Sequence, residues 1–410
     1  MPLTVLAFVL SIFSSPLTAN LETVSGVSVA MADTITVTPG NYRIYKSNGT
    51  PATFADIAAA LKKTDVVFVG EQHDDPVSHH IEKLVLEAMF ETYGEATALS
   101  MEMFARDVQY IVDEYLAGLI TESHFQSSSS PWSNYETDYK PLVEFAKSNG
   151  MAVIAANAPR RYANRVTREG RPALMQLSDQ ALTFVAPQPY GAASERYTAQ
   201  WNKVMAEAMG SMKSDEPAEE EIETEMEKEM GEEAHDMENM TEEHAKMHAE
   251  HMAAKARGEE HAVGAEHEMN HAGEKKEGME HKEGMKHEAP AAPAKPAMPA
   301  APASSSQHGN DTMLDAQTLW DATMAWSIAE HLTRRPGSKV VHMVGGFHSE
   351  TGTGTPEHLV QYRPGTRFMV ITMKTVDDIN VFDTDEHTGM GDFVILGDAS
   401  LPRTYASRTR

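Results

Sequence analysis

Residues Asp65 to Met89 read D-V-V-F-V-G-E-Q-H-D-D-P-V-S-H-H-I-E-K-L-V-L-E-A-M, and the fold is decided here. Val66, Val67, Phe68 and Val69 form a short, unbroken apolar run rich in β-branched residues. That pattern predicts a strand covered on both faces. Gly70 ends the run. Asp74 or Asp75 can cap a helix, and Pro76 suits its first turn. Ile81, Leu84, Val85, Ala88 and Met89 then recur at helical spacing and define one apolar face. Glu71 and His73 therefore fall in a strand-to-helix turn, at the carboxyl end of a parallel strand. Open α/β sheets gather ligands and chemistry at that edge. Polar residues also occur in such turns without any chemistry, so the pair gains meaning only from company further along the chain.

The same grammar recurs. Ala98 to Met103 reads as a second strand, with Glu102 near its end and helical spacing from Val108 onward. A glutamate in an apolar strand costs free energy unless it has a partner or a ligand. Leu142, Val143, Phe145 and Ala146 mark the buried side of a helix that Asn149-Gly150 terminates. Trp132, Tyr135 and Tyr139 lie in or just before that helix. Met151 to Ala156 is a third strand, and Asn157 and Arg160 fall just past its end. Repeated strand, polar turn and helix predict a βαβ architecture. Tyr162 to Met209 reads as a small helical subdomain. Far downstream, S-K-V-V-H-M-V-G-G-F-H gives another strand and glycine turn, which put His348 in the position that His73 occupies earlier. Thr366 to Met373 and Asp392 to Leu396 are further strands, and a Ser-Asn-Gly turn between Tyr45 and Pro51 predicts a hairpin. The expected fold is α/β, a mostly parallel sheet flanked by helices, in two parts spanning 41–210 and 311–410.

Between those parts the composition changes. Ser211 to His308 is rich in Glu, His, Met, Lys and Ala and closes in a Pro/Ala-rich spacer. It lacks large aromatic residues and cannot bury enough apolar area for a core, so a long disordered insertion is expected over 211–310. More than half of the chain's formal charge of −27 lies there, and the remainder is acidic too. Nucleic-acid binding needs a basic footprint and is excluded on this ground. The chain has no cysteine. Disulfides, thiolate metal sites, a cysteine nucleophile and a cysteine lipid anchor are therefore excluded. Leu3 to Phe13 is an apolar run followed by small and turn-forming residues. Residues 1–20 are expected to act as a signal peptide, which predicts an exported protein in the periplasm or envelope.

Four strand ends thus set Glu71 and His73, Glu102, Asn157 and Arg160, and His348 along one edge. Two G-x-x-H turns, Gly70 to His73 and Gly345 to His348, stand near opposite ends of the chain. Two histidines and two carboxylates suffice for a divalent metal or for acid–base work.

Several of these segments, V-V-F-V-G-E-Q-H-D-D, S-M-E-M-F, Y-E-T-D-Y-K-P-L-V-E-F-A, V-I-A-A-N-A-P-R and M-V-G-G-F-H-S-E-T-G-T-G-T-P-E-H-L, resemble the ChaN-like haem-binding family. That family belongs to the wider Tiki, TraB and erythromycin-esterase superfamily. The resemblance implies an exported protein of haem or iron uptake, a possible envelope component. It also implies a homodimer holding two haems face to face with tyrosine on the iron. Tyr135 and Tyr139 are the tyrosines of the matching stretch, with His73, Asn157 and His348 as further cofactor contacts. A phenolate is a hard ligand suited to ferric iron. The missing cysteine departs from the lipoprotein members.

Two alternatives stand beside haem binding. The superfamily contains hydrolases, and as an enzyme this chain would use Glu71, His73, Glu102 and His348, either on a divalent metal or as acid–base groups, with Arg160 stabilising negative charge. The insertion offers another chemistry. His244, His248 and His251, with interleaved methionines, suit zinc or copper buffering. An ordinary solvated spacer has the same composition.

Overall fold

The computed structural model describes residues 35–214 and 306–404. The expected signal peptide, most of the 211–310 insertion, and His244, His248 and His251 lie outside the described residues. Eight strands form one sheet in the order β2-β1-β8-β7-β3-β6-β4-β5. They are β1 (Tyr42–Lys46), β2 (Pro51–Ala52), β3 (Val66–Glu71), β4 (Thr97–Ala105), β5 (Ala152–Asn157), β6 (Lys339–Gly345), β7 (Phe368–Val376) and β8 (Phe393–Asp398). From β8 to β5 every neighbouring pair is parallel. The hairpin expected near the amino terminus is present, and β1 closes the sheet antiparallel against β8. The mostly parallel α/β class read from the sequence is the observed one.

Both faces are covered, as the unbroken apolar strands require. Side chains alternate between two cores. Val67 and Val69 of β3 pack with Val341 and Met343 of β6 on one face, beneath α1 (Phe54–Leu61), α2 (Pro76–Tyr93), α3 (Gln109–Leu116), α4 (Glu122–Ser129) and α5 (Lys140–Ser148). Val66 and Phe68 join Val340 and Val344 on the other, beneath the long helix Ser306–Arg334. Further helices are α6 (Arg160–Glu169), α7 (Asp179–Leu182) and α8 (Glu195–Ser214). The Ser306–Arg334 helix is α9, followed by α10 (Thr355–Tyr362) and α11 (Thr384–His387). The helical segment expected over 162–209 corresponds to α6, α7 and α8.

Strand β6 arrives from the far end of the chain and is inserted between β3 and β4. Glu71 pairs in register with Gly345, so the two G-x-x-H segments leave adjacent strands side by side. Gly70 makes that closeness possible. A Cβ there would stand 2.8 Å from Ser349 Oγ and 3.1 Å from the Gly346 backbone. Glu71 is still in the strand rather than in the turn that follows it.

Helix α2 differs in one respect from its expected face. Ile81, Val85 and Met89 are buried, whereas Leu84 and Ala88 are only partly so; Ser78, Glu82 and Leu86 are buried in addition. The helix is rolled toward the side carrying Glu82, whose carboxyl lies 3.0 Å from His79 of the same helix. Asp75 is the cap, accepting hydrogen bonds from Ser78 N at 2.9 Å and Ser78 Oγ at 2.8 Å while itself buried. Losing such a cap costs roughly 1–2 kcal/mol. Asp75→Ala is therefore expected to lower the unfolding free energy by about that amount in urea titrations, and Asp75→Ser to recover most of it.

Candidate functional site

Three adjacent strand ends build the site: β3 supplies Glu71 and leads to His73, β4 supplies Glu102, and β6 between them leads through Gly345 to His348. His73 is the open member. Its side chain is 48% exposed, and its Nδ1 donates to Glu71 Oε1 at 2.6 Å. The ring stands edge-on to Trp132, with centroids 4.8 Å apart. The other edge of the ring looks toward Gly345. A Cβ on that glycine would lie 2.9 Å from His73 Cε1, 3.1 Å from Nε2 and 3.6 Å from Glu102 Oε2. Glycine is thus what lets the ring pack against the end of β6.

Glu102 is buried and spends Oε2 on the Gly345 N–H at 2.7 Å. Its Oε1 lies 3.8 Å from His348 Nε2. On the far side His348 Nδ1 donates to Asp321 Oδ1 at 3.0 Å. Thr355 Oγ1 donates to the same oxygen at 2.7 Å. The arrangement holds two histidine–carboxylate pairs, Glu71–His73 and Asp321–His348, with their Nε2 edges turned toward Gly345 and Glu102. In each pair the carboxylate fixes the tautomer and orientation of the ring, as it does behind many ligating or proton-transferring histidines.

The electrostatics follow from this pairing. Burial opposes charge on His348, but Asp321 and Glu102 outweigh it and raise its pKa to about 9. For His73 burial likewise opposes charge, and Glu71 carries the pKa above its ordinary value. Burial also works against ionised Glu71, yet hydrogen bonding to His73 and the nearby His79 hold it below the usual carboxylate range.

A second, deeper layer fixes Glu71. Tyr139 donates its phenol to Glu71 Oε1 at 2.7 Å. His79 Nδ1 lies 3.3 Å from Glu71 Oε2 and 3.0 Å from Glu82 Oε2. Its Nε2 lies 3.0 Å from the His73 carbonyl and 3.3 Å from Asp138 Oδ2. Asn134 Nδ2 donates to that same carbonyl at 2.9 Å and to Asp138 at 2.8 Å. The backbone of His73 is thereby clamped from beneath.

The structure brings Glu71, His73, Glu102 and His348 to one edge. It does not draw them to coordination distance. Among the described residues, the group of three whose ligand atoms all lie within 4.8 Å of one another is Glu71, His79 and Glu82. Asn157 ends β5 on the same edge and turns its Oδ1 to the Ala158 N–H at 2.9 Å. Arg160 is exposed at the first residue of α6. Tyr135 and Tyr139 occupy one π-helical turn (Tyr135–Tyr139) leading into α5. Both are buried. Tyr135 packs against Phe104 and Phe125, Tyr139 is committed to Glu71, and burial pushes both phenols well above their ordinary pKa. A groove of about 750 Å³, bordered by Trp132, Tyr135, Gln126 and Lys140, adjoins Trp132.

Sequence reasoning missed Asp321, His79, Glu82 and Asp138. Asp321 lies in α9 among apolar residues. Its signal was the polar set Thr318, Asp321 and Thr323, all fully buried beside Leu319 and Ala322. His79 and Glu82 sit at i and i+3, a spacing that places both on one helical side.

A family model described as haem-binding uptake, Tiki superfamily, ChaN, matches residues 57–359. Among solved structures, one titled cofacial heme binding to ChaN of Campylobacter jejuni is similar over 88% of this chain and 98% of that chain. Its TM-score is 0.51 at 13% identity, a likeness of fold. An erythromycin esterase mutant, EreC in its open conformation, aligns over 82% of this chain and 77% of that one, with a TM-score of 0.34 at 8% identity. No curated protein matches.

His348 makes stability depend on pH with a definite sign. Its folded pKa of about 9 lies above the ordinary histidine value, so its contribution is complete below about pH 6.5 and is lost as the pH rises through 9. Urea unfolding measured across that window should show a loss of about 3 kcal/mol in the unaltered chain beyond that in His348→Gln.

Proposed function

Because the chain belongs to the haem-binding uptake family of the Tiki superfamily, ChaN, we propose that it binds haem over the β3–β6–β4 edge, with His73 as the iron ligand. One observation carries the choice of residue. His73 is the half-exposed donor of the site, its Nδ1 held by Glu71 and its ring seated between Trp132 and the Gly345 backbone. A neutral imidazole whose second nitrogen donates to a carboxylate is a basic, oriented ligand, and histidine is a common axial ligand of haem iron. The donor set therefore fits haem. Bound haem supplies an iron centre and a large planar apolar surface. The chain's own residues do the rest: Glu71 holds the tautomer of His73, Trp132 braces its ring, and Gly345 lets that ring lie against the end of β6.

Tyrosine is the ligand that the resemblance suggests. Tyr135 and Tyr139 fit that role less well, because each phenol is buried and held neutral. Tyr139 serves instead as a support, through Glu71. Export to the periplasm and a part in haem or iron uptake belong to this reading, on the strength of the family and the apolar amino-terminal run. Pairing of two copies across their haems belongs to it as well, supported by the cofacial binding named for the ChaN relative.

Optical titration of the purified chain with haemin tests the proposal. The unaltered chain should give a saturable Soret shift. His73→Ala should weaken binding by about 100-fold or more and change the spectrum. Glu71→Gln, which removes the support, should cost about 10–100-fold. Tyr135→Phe should leave affinity and spectrum unchanged. A full spectrum in His73→Ala together with its loss in Tyr139→Phe would reassign the iron to tyrosine.

A further inference from the structure

Beneath His73 lies a set of ligand-bearing side chains of which the proposed haem binding uses Glu71 alone, through Oε1. Glu71 Oε2, His79 Nδ1 and a carboxylate oxygen of Glu82 stand within 4.8 Å of one another. Glu82 is fully buried on α2, and Glu71 is nearly so. We propose that Glu71, His79 and Glu82 form a divalent metal site of the His/Glu/Glu type, distinct from the haem position and directly behind it.

Geometry supports this first. His79 Nδ1 is 3.3 Å from Glu71 Oε2 and 3.0 Å from Glu82 Oε2. Ligands held about 2.0–2.1 Å from zinc at tetrahedral angles stand roughly 3.3 Å apart. The second support is a pair of buried oxygens without a donor. Glu71 Oε2 and Glu82 Oε1 accept no hydrogen bond, although buried polar atoms are nearly always satisfied. The third is the support behind the histidine. His79 turns Nε2 to Asp138 and to the His73 carbonyl, which leaves Nδ1 toward the two glutamates, the carboxylate–histidine–metal pattern.

Ligand chemistry sets the class of ion. One imidazole and two carboxylates suit zinc, manganese or ferrous iron. Calcium takes six to eight oxygens and is disfavoured. The ion would stand one carboxylate away from His73, since Glu71 would hold it through Oε2 while keeping His73 and Tyr139 on Oε1.

The test is metal-dependent thermal stability of the full chain after chelator treatment. The histidine- and methionine-rich stretch between Ser211 and His308 also offers ligands. The readout is therefore the unfolding temperature of the folded domain, followed by tryptophan fluorescence, and not the number of ions bound. Mn²⁺ or Zn²⁺ at about 100 times its half-saturating concentration should raise Tm by about 5 °C. Glu82→Gln, which keeps the shape and removes the charge, should lose that rise, and so should His79→Gln. No rise with either ion in the unaltered chain overturns the proposal, as does a full rise in either variant. Anomalous scattering from Mn²⁺-soaked crystals of the unaltered chain should give a peak between the three side chains. A map without that peak overturns the proposal even if neither variant folds.

Discussion

The parallel pairing of β6 between β3 and β4 is the constraint on which the site depends. Glu71, Glu102 and His348 belong to segments far apart in sequence. Hydrogen-bonded strands place their ends one strand spacing apart, which is within reach of one side chain. The Glu102 carboxylate then takes the Gly345 N–H, so a β4 side chain caps the end of β6 and fixes the turn that carries His348. Removing either glycine of the two facing turns would put a Cβ into occupied space. The sheet topology, the two glycines and the buried carboxylates are thus one requirement expressed in three ways.

Much of this was legible in the sequence, and the part that was not has a physical reason. Strands buried on both faces advertise themselves as unbroken β-branched runs, so β3, β5, β6 and β7 could be read, and with them the positions of Glu71, His73 and His348. What the pattern could not give was lateral order. Nothing in residues 339–345 says that they pair with β3 on one side and β4 on the other. The partners of the histidines were hidden for a different reason. Asp321 and Glu82 lie on buried sides of helices, where apolar periodicity treats a polar residue as an interruption. Tyr135 and Tyr139 were visible as residues but not as orientations. A π-helical turn displaces side chains from regular helical spacing, and both rings point into the core.

The site also shows how a chain of strongly negative charge keeps carboxylates buried. Glu71, Glu102, Asp138 and Asp321 all lie under the surface, and isolating such a group from water costs several kcal/mol. Among the described residues their ionic contacts are with histidine rather than lysine or arginine. Imidazole is short, rigid and able to donate from two edges, so one ring can serve two acids at once. It can also give up its charge, which a guanidinium cannot. An edge built this way is held together by groups that retain chemical use.

The late arrival of β6 has a consequence for biogenesis. During translation β3, β4 and β5 emerge first, and β6 follows only after some 180 further residues, roughly ten to forty seconds at usual elongation rates. Through that interval β3 and β4 have no strand between them, and each presents an unsatisfied backbone edge to the cell. No fragment ending before Gly345 can hold His73 in its final setting. The edge that carries Glu71, His73, Glu102 and His348 is therefore assembled only when the second half has threaded into the first.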